Sequence, residues 1–280
     1  MRNPMTELHL TCSASTLREA DFPTRVSAAA AAGFAGIGVR MSDYLGSGLS
    51  DEEIRGLLDR HGLRVLELEH LWDWAPGPDP MEETIFRFAD RIGARQLNVP
   101  MFGEYPLADL VEPFGALCDR AADHGLLVGF EFLPYSGVRT LGEVWQIVAA
   151  AGRRNGGVII DLWHWFRSGA RVDDLADIPA PAFTSLQLCD VAAEPGPRMA
   201  EESRHARLLP GQGAGDTQGL LRALRERGIT VPVSVEVFSD DLDARPATES
   251  ARLAYDAAAA VLREADLDAP GWATTREDVR

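Results

Sequence analysis

Cysteine is scarce in this chain. Cys12, Cys118 and Cys189 lie far apart, are odd in number and form no Cys-x-x-Cys pair. That excludes a disulfide framework and fits a reduced, cytoplasmic protein. Long apolar runs are also missing. Residues 1–7 contain no hydrophobic signal region, and the longest apolar tract, residues 26–35, is alanine-rich and broken by Gly33. Neither a signal peptide nor a transmembrane span is expected. Basic charge is in deficit: the net charge is −16 and the pI is about 4.8. This argues against nucleic acid, whose phosphates are neutralised by Lys and Arg, and against an anionic membrane surface. Finally, residues 10–17 hold no glycine. A doubly wound dinucleotide fold would carry its Gly-x-Gly-x-x-Gly turn there.

What the chain does have is a repeat of strand then helix. Apolar, β-rich runs over residues 8–12, 34–40, 63–71, 95–101, 126–133, 158–162, 183–189 and 231–238 predict eight strands. Between them lie helical patterns with recognisable ends. Pro23 sits in a first turn, Ser50 and Glu53 form a capping box, and glycines 33, 62, 93, 125 and 228 stop helices. Residues 190–215 read as a long Gly/Pro-rich loop. Eight strand–helix units in this length predict a single-domain α/β protein, a (β/α)8 barrel of the TIM type over residues 1–280. Residues 1–6 would be an N-terminal extension and 267–280 a C-terminal tail.

In such a barrel the functional groups stand at the C-terminal strand ends. Glu131, Asp161, Gln187 and Glu236 occupy that place on the last four strands, each after apolar residues. Taken singly, each is as readily a salt-bridge partner as a ligand, and His164 as readily a satisfied buried histidine. Their coincidence on four consecutive strands points to a site. Three converging carboxylates cannot all stay ionised without a cation. Oxygen-only ligands favour one divalent ion, Mn²⁺ first, with Mg²⁺ and Co²⁺ as alternatives.

These residues resemble the sugar phosphate isomerase/epimerase family, the xylose isomerase-like TIM barrels of the AP endonuclease family 2 superfamily. That family's pattern is a Glu, an Asp with His three residues on, a His or Gln, and a last Glu. Glu131, Asp161 with His164, Gln187 and Glu236 match it in order. The stretch from Arg207 to Gly213 resembles the family's Arg-x-x-Pro-Gly-x-Gly segment. Gln187 stands where epimerases usually carry His, and some dehydratase branches use Gln there. Leu133 stands where dehydroshikimate dehydratases often carry His.

The resemblance implies an isomerase or epimerase acting on a keto-sugar or cyclitol-like α-hydroxyketone through a metal-stabilised enediolate. Glu131 and Glu236 would be the base and acid. The alternative is a metal-dependent dehydratase or lyase acting on an inosose, a 3-dehydroshikimate or a 3-keto-glycoside. A non-catalytic ligand-binding barrel is the alternative from another class. His164 would hold a substrate oxygen, and Arg207 or His205 would close over the substrate. His70, Trp72 and Trp163 would complete the pocket. The sequence offers no obvious cluster of Lys and Arg near the strand ends, which disfavours a phosphorylated substrate. The expected partner is a small polyhydroxy ketone, and homo-oligomerisation is left open.

Overall fold

In the computed structural model, residues 8–69, 71–72 and 74–267 are described. The strands are β1 Leu10–Cys12, β2 Gly36–Arg40, β3 Arg64–Glu69, β4 Gln96–Val99, β5 Leu127–Glu131, β6 Gly156–Asp161, β7 Phe183–Leu188 and β8 Val233–Val235. They are all parallel and close into a barrel in chain order, with β1 beside β8. The helices are α1 Phe22–Ala32, α2 Met41–Gly46, α3 Asp51–His61, α4 Glu82–Ile92, α5 Leu107–Ala122, α6 Leu141–Ala151, α7 Leu162–Ser168, α8 Met199–His205, α9 Thr217–Glu226, α10 Asp240–Asp243 and α11 Ala247–Ala265. The expected barrel is therefore present. The Ser50–Glu53 capping box opens α3 as the sequence implies. Gly33, at φ 101°, closes α1 in a conformation that other residues rarely adopt.

Side-chain alternation along a strand sorts residues between the two faces of the barrel wall. Leu10, Cys12, Ile37, Val39, Leu97, Val99, Phe130, Ile160, Leu188 and Val235 belong to the hydrophobic core between strands and helices. The residues between them point inward, and they are mostly polar or glycine. Barrels of this type usually fill with layers of branched aliphatic side chains. Here Ser234 Oγ donates to Glu67 Oε1 at 2.5 Å and Asn98 Nδ2 to Glu67 Oε2 at 3.0 Å. Gln96 Nε2 donates to Asn98 Oδ1 at 2.7 Å and to Ser185 Oγ at 2.9 Å. Hydrogen bonding makes this burial tolerable, because an unpaired polar group would cost roughly 1–3 kcal/mol.

Three differences from the sequence expectation bear on the site. β8 stops at Val235, not at 238, because the Val237 N–H donates to Thr16 Oγ1 instead of a strand neighbour. Leu162 opens α7 and does not extend β6; Asp161 is that helix's N-cap, and its Oδ1 accepts the His164 N–H at 2.8 Å. The expected loop over 190–215 contains α8. The N-terminal extension and nearly all of the tail lie outside the described residues.

Inward glycines make room for this interior. A Cβ at Gly129 would lie 2.7 Å from Ile159 Cγ1 and 2.8 Å from Gln96 Nε2. Gly129→Ala is expected to lower stability by about 1–3 kcal/mol through overpacking. Urea unfolding with an unchanged m-value measures this, and an unshifted midpoint would show that the interior has slack.

Candidate active site

A cavity of about 330 Å³ opens at the C-terminal end of the barrel. Glu131 closes β5 and Asp161 closes β6, while Gln187 lies in β7 paired in register with Asp161. Glu236 follows β8 directly. The ladder thus brings residues from four separate stretches to one level. One acceptor atom each of Glu131, Asp161 and His164 lie within 4.8 Å of one another, and all three residues are buried. Glu131 Oε1 is 3.2 Å from His164 Nε2. Gln187 Nε2 donates to Glu236 Oε1 at 3.3 Å.

The Asp-x-x-His spacing has a local cause. An N-cap carboxylate accepts from the backbone N–H three residues on, so the same geometry that starts α7 sets His164 beside the strand end. The second Asp161 oxygen is left for other partners.

Arg207 takes that oxygen. Its Nη1 is 2.7 Å from Asp161 Oδ2 and 3.1 Å from Glu236 Oε2. Its Nε donates to Ser203 O at 2.8 Å and its Nη2 to Ser203 Oγ at 3.1 Å. Arg207 is buried and held on all sides, where the sequence suggested a loop residue closing over substrate. Burial pushes the Asp161 carboxyl up, but Arg207, His164 and the His164 N–H outweigh it, and the net direction is down. Burial, joined by the neighbouring carboxylates, pushes Glu236 well up despite Arg207.

The loop that delivers Arg207 is pinned by a carboxylate the sequence did not single out. Asp190 accepts the N–H groups of Val191, Gly211 and Gly215 at 2.8, 3.0 and 3.1 Å. A Cβ at Gly213 would lie 2.4 Å from Asp190 Oδ1. This accounts for Gly213 of the Pro-Gly-x-Gly segment, while Gly211 stands at φ 75° with Val261 Cγ1 2.7 Å from where a Cβ would lie.

Of the other expected site residues, His205 and Trp72 line the cavity. His205 Nδ1 lies 2.9 Å from Asp240 Oδ1. Trp72 is 52% exposed and stacks on Phe102. Trp163 does not line the cavity, a correction to the expected pocket. It is fully buried and packs against Tyr135, His164 and Arg207, because α7 turns it toward the core. His70 lies outside the described residues. The sequence missed Arg18, Arg40, Tyr135, Ser203 and Phe238, all at the cavity wall. The alternation Gly36-x-Gly38-x-Arg40 was the available signal for Arg40. The four arginines Arg18, Arg40, Arg204 and Arg207 also correct the expectation that no Arg cluster stands near the strand ends. They come from three separate segments, since Arg204 and Arg207 share one. The chain has no lysine, so an imine route through lysine is closed. The three cysteines are free and buried. Burial pushes Cys12 and Cys118 up to about 12, which removes them as nucleophiles.

The donor set suits a divalent cation. Three buried carboxylates face one buried guanidinium, and Gln187 Oε1 is buried without a hydrogen-bond partner among the described residues. An orphaned acceptor beside clustered carboxylates is what a cation ligand looks like before the cation is counted.

Comparison with known proteins agrees with this geometry. The profile of the family described as xylose isomerase-like TIM barrel matches residues 26–265. The chain belongs to that family. It is 30% identical over 247 residues to a 3-dehydroshikimate dehydratase of Pseudomonas aeruginosa, covering 82% of this chain and 38% of that protein. It is 29% identical over 177 residues to an inosose isomerase of Halalkalibacterium halodurans, covering 58% and 62%. The chain thus spans less than two thirds of each curated relative. A crystal structure of the IolI protein with a bound zinc atom superposes with a TM-score of 0.83 at 21% identity, over 92% of this chain and 99% of that one. Among the described residues no helix is long and apolar enough to cross a membrane.

Two outcomes follow. Burial first, then the Glu69 charge, push Glu67 from 4.5 up to about 8. Between those values the native state holds a proton that the unfolded chain has lost. The stabilisation is full below 4.5 and is lost as pH rises through about 8. Glu67→Gln keeps both hydrogen bonds, since the Ser234 hydroxyl can accept instead of donate. It should flatten this decline in urea unfolding of chelator-treated protein, whereas a parallel decline would place the titration elsewhere. Arg207→Met, which strands Asp161 and Glu236, should cost about 3–5 kcal/mol without metal. Recovery of part of that loss on adding a divalent ion is expected, and a neutral effect would refute the charge balance.

Proposed function

We propose that this chain abstracts a proton next to the carbonyl of a small polyhydroxy ketone, with one divalent metal ion. The observation that carries this is the buried convergence of Glu131, Asp161, Gln187 and Glu236, with Gln187 Oε1 lacking a partner. These four would hold the ion, Mn²⁺ first with Mg²⁺ and Co²⁺ as alternatives. When bound it supplies Lewis-acid polarisation of the substrate carbonyl. Glu131 and Glu236 both line the cavity and are placed to remove and return protons. His164 Nε2, held by Glu131, orients a substrate oxygen. The low cysteine count supports a cytoplasmic protein, and the acidic chain supports a small-molecule partner over nucleic acid.

Loss of a β-hydroxyl after proton abstraction, a dehydration, is the favoured outcome. Gln187 and the dehydroshikimate dehydratase relative, matched over most of this chain, support it. Tyr135 and His164 are then the hydroxyl-side acids, since both stand at the cavity. Isomerisation or epimerisation is the second outcome. It is favoured by two carboxylates facing one cavity and by the inosose isomerase relatives.

Metal-loaded protein incubated in D₂O with keto-sugar, inosose and dehydroshikimate candidates separates the two. Deuterium uptake without mass loss marks an isomerase or epimerase, and loss of water marks a dehydratase. Glu131→Gln should lower either rate by roughly 10²–10⁴-fold. Chelation should abolish turnover and added metal restore it. If no candidate exchanges or is consumed, the enzymatic reading fails.

A further inference from the structure

Glu236 lies one residue past the end of β8. Its N–H donates to Leu188 O at 3.0 Å on the β7 side. On the other side, the ladder with β1 ends at the register pair of Cys12 and Val235. A chain leaving its ladder loses the bonds that fix it. A carboxylate that is to hold an ion needs a fixed backbone and a fixed orientation.

The turn that follows β1 supplies both. Ser13 N–H donates to Val235 O at 3.1 Å, and Thr16 N–H donates to Ser13 O at 3.2 Å, which closes the turn. Thr16 Oγ1 donates to Val235 O at 2.8 Å and accepts the Val237 N–H at 2.9 Å. One hydroxyl thus holds the residues on both sides of Glu236. Ser13 Oγ reaches the carboxylate itself, 3.1 Å from Glu236 Oε1. It accepts the Ser15 N–H at 3.1 Å, so its own hydrogen is left for a carboxylate. Glu69 Oε1, at 2.9 Å, competes for that hydrogen, but Glu69 has Arg40 Nε as a further donor. Ser15 is placed less well. Its Oγ accepts from Arg40 Nη2 and stands 3.4 Å from both Glu69 Oε2 and Glu236 Oε1. Ser13 and Thr16 are buried and do not line the cavity, so neither is offered to a substrate.

We propose that the turn of residues 13–16 is a clasp that positions Glu236 toward the ion, Ser13 setting its carboxylate and Thr16 its backbone. This rests on the metal reading above and adds positioning residues from the exit of a strand that supplies none of the four ligands. Partners that orient a ligand from behind commonly account for about 10–100-fold of a site's metal affinity.

Titration of chelator-treated protein with Mn²⁺, followed by the paramagnetic resonance signal of the free ion, tests this. Ser13→Ala should weaken binding by about tenfold. Ser15→Ala, which removes the neighbouring and more distant hydroxyl, should weaken it by about twofold or less. Thr16→Val should weaken it as Ser13→Ala does, and Thr16→Ser should restore it. Should Thr16→Val fail to fold, the contrast between Ser13→Ala and Ser15→Ala decides. The visible absorption bands of Co²⁺-loaded protein should shift in Ser13→Ala and stay in place in Thr16→Ser. A serine that only supported the fold would lower the urea midpoint and leave those bands where they are. Wild-type affinity in Ser13→Ala, or equal losses in Ser13→Ala and Ser15→Ala, overturns the clasp and leaves the metal reading standing. Wild-type protein that takes up neither ion overturns the metal reading, and the clasp with it.

Discussion

Arg207 lies between Asp161 and Glu236, and much of the site depends on that placement. Taking several carboxylates out of water is costly, and their mutual repulsion adds to the cost. A buried guanidinium with acceptors on every side offsets part of it. The surplus of negative charge that remains is what a divalent cation would neutralise. Below this level the same constraint shapes the barrel interior. Among the described residues no cation contacts Glu67; Ser234 and Asn98 tie it, and burial helps raise its pKa to about 8, so that it holds its proton at neutral pH. Two ways of tolerating a buried carboxylate, pairing and protonation, therefore sit one layer apart.

Backbone structure delivers these groups with little freedom. Asp161 ends a strand, caps a helix through one oxygen and meets Arg207 through the other. Asp190 gathers the N–H groups of the returning loop; a Cβ at position 213 would collide with it, while Gly211 is set by its φ of 75° and its contact with Val261. Ser13 and Ser15 each touch both Glu69 and Glu236, so the outer carboxylate and the inner one are coupled through hydroxyls. The inward glycines at 38 and 129 leave room for Glu69 and Gln96. An interior this polar is organised by hydrogen-bond geometry, while the outer apolar layer holds the helices.

The two walls of the cavity differ in character. Glu131 and His164 stand on the side of the later strands, and Arg18 and Arg40 on the side of the early strands. Arginines gathered around the Phe238 ring repel one another, and Asp240 and Asp243 on Arg18, Glu69 on Arg40, and Asp161 and Glu236 on Arg207 offset that repulsion. Family membership accounts for the fold that gathers these side chains.

The strand–helix repeat, the capping box at Ser50 and the order Glu131, Asp161, Gln187, Glu236 were legible in the sequence because each is a local signal. Periodicity, caps and the exit of an apolar run on a charge act within a few residues. The polar interior was not legible, because Glu67, Gln96, Asn98, Ser185 and Ser234 read one by one as interruptions of apolar strands. Nor was the arginine cluster at the cavity, gathered from three separate stretches of the chain. Trp163 was misplaced for the same reason: the turn of α7 decides whether it meets the cavity or the core. The sequence by itself determined the barrel and its ring of acidic strand ends. Only the tertiary structure decided that Arg207 is an internal counter-ion and that Arg18 and Arg40 share one aromatic ring, since electrostatic partnership depends on distances across a closed barrel that no local pattern encodes.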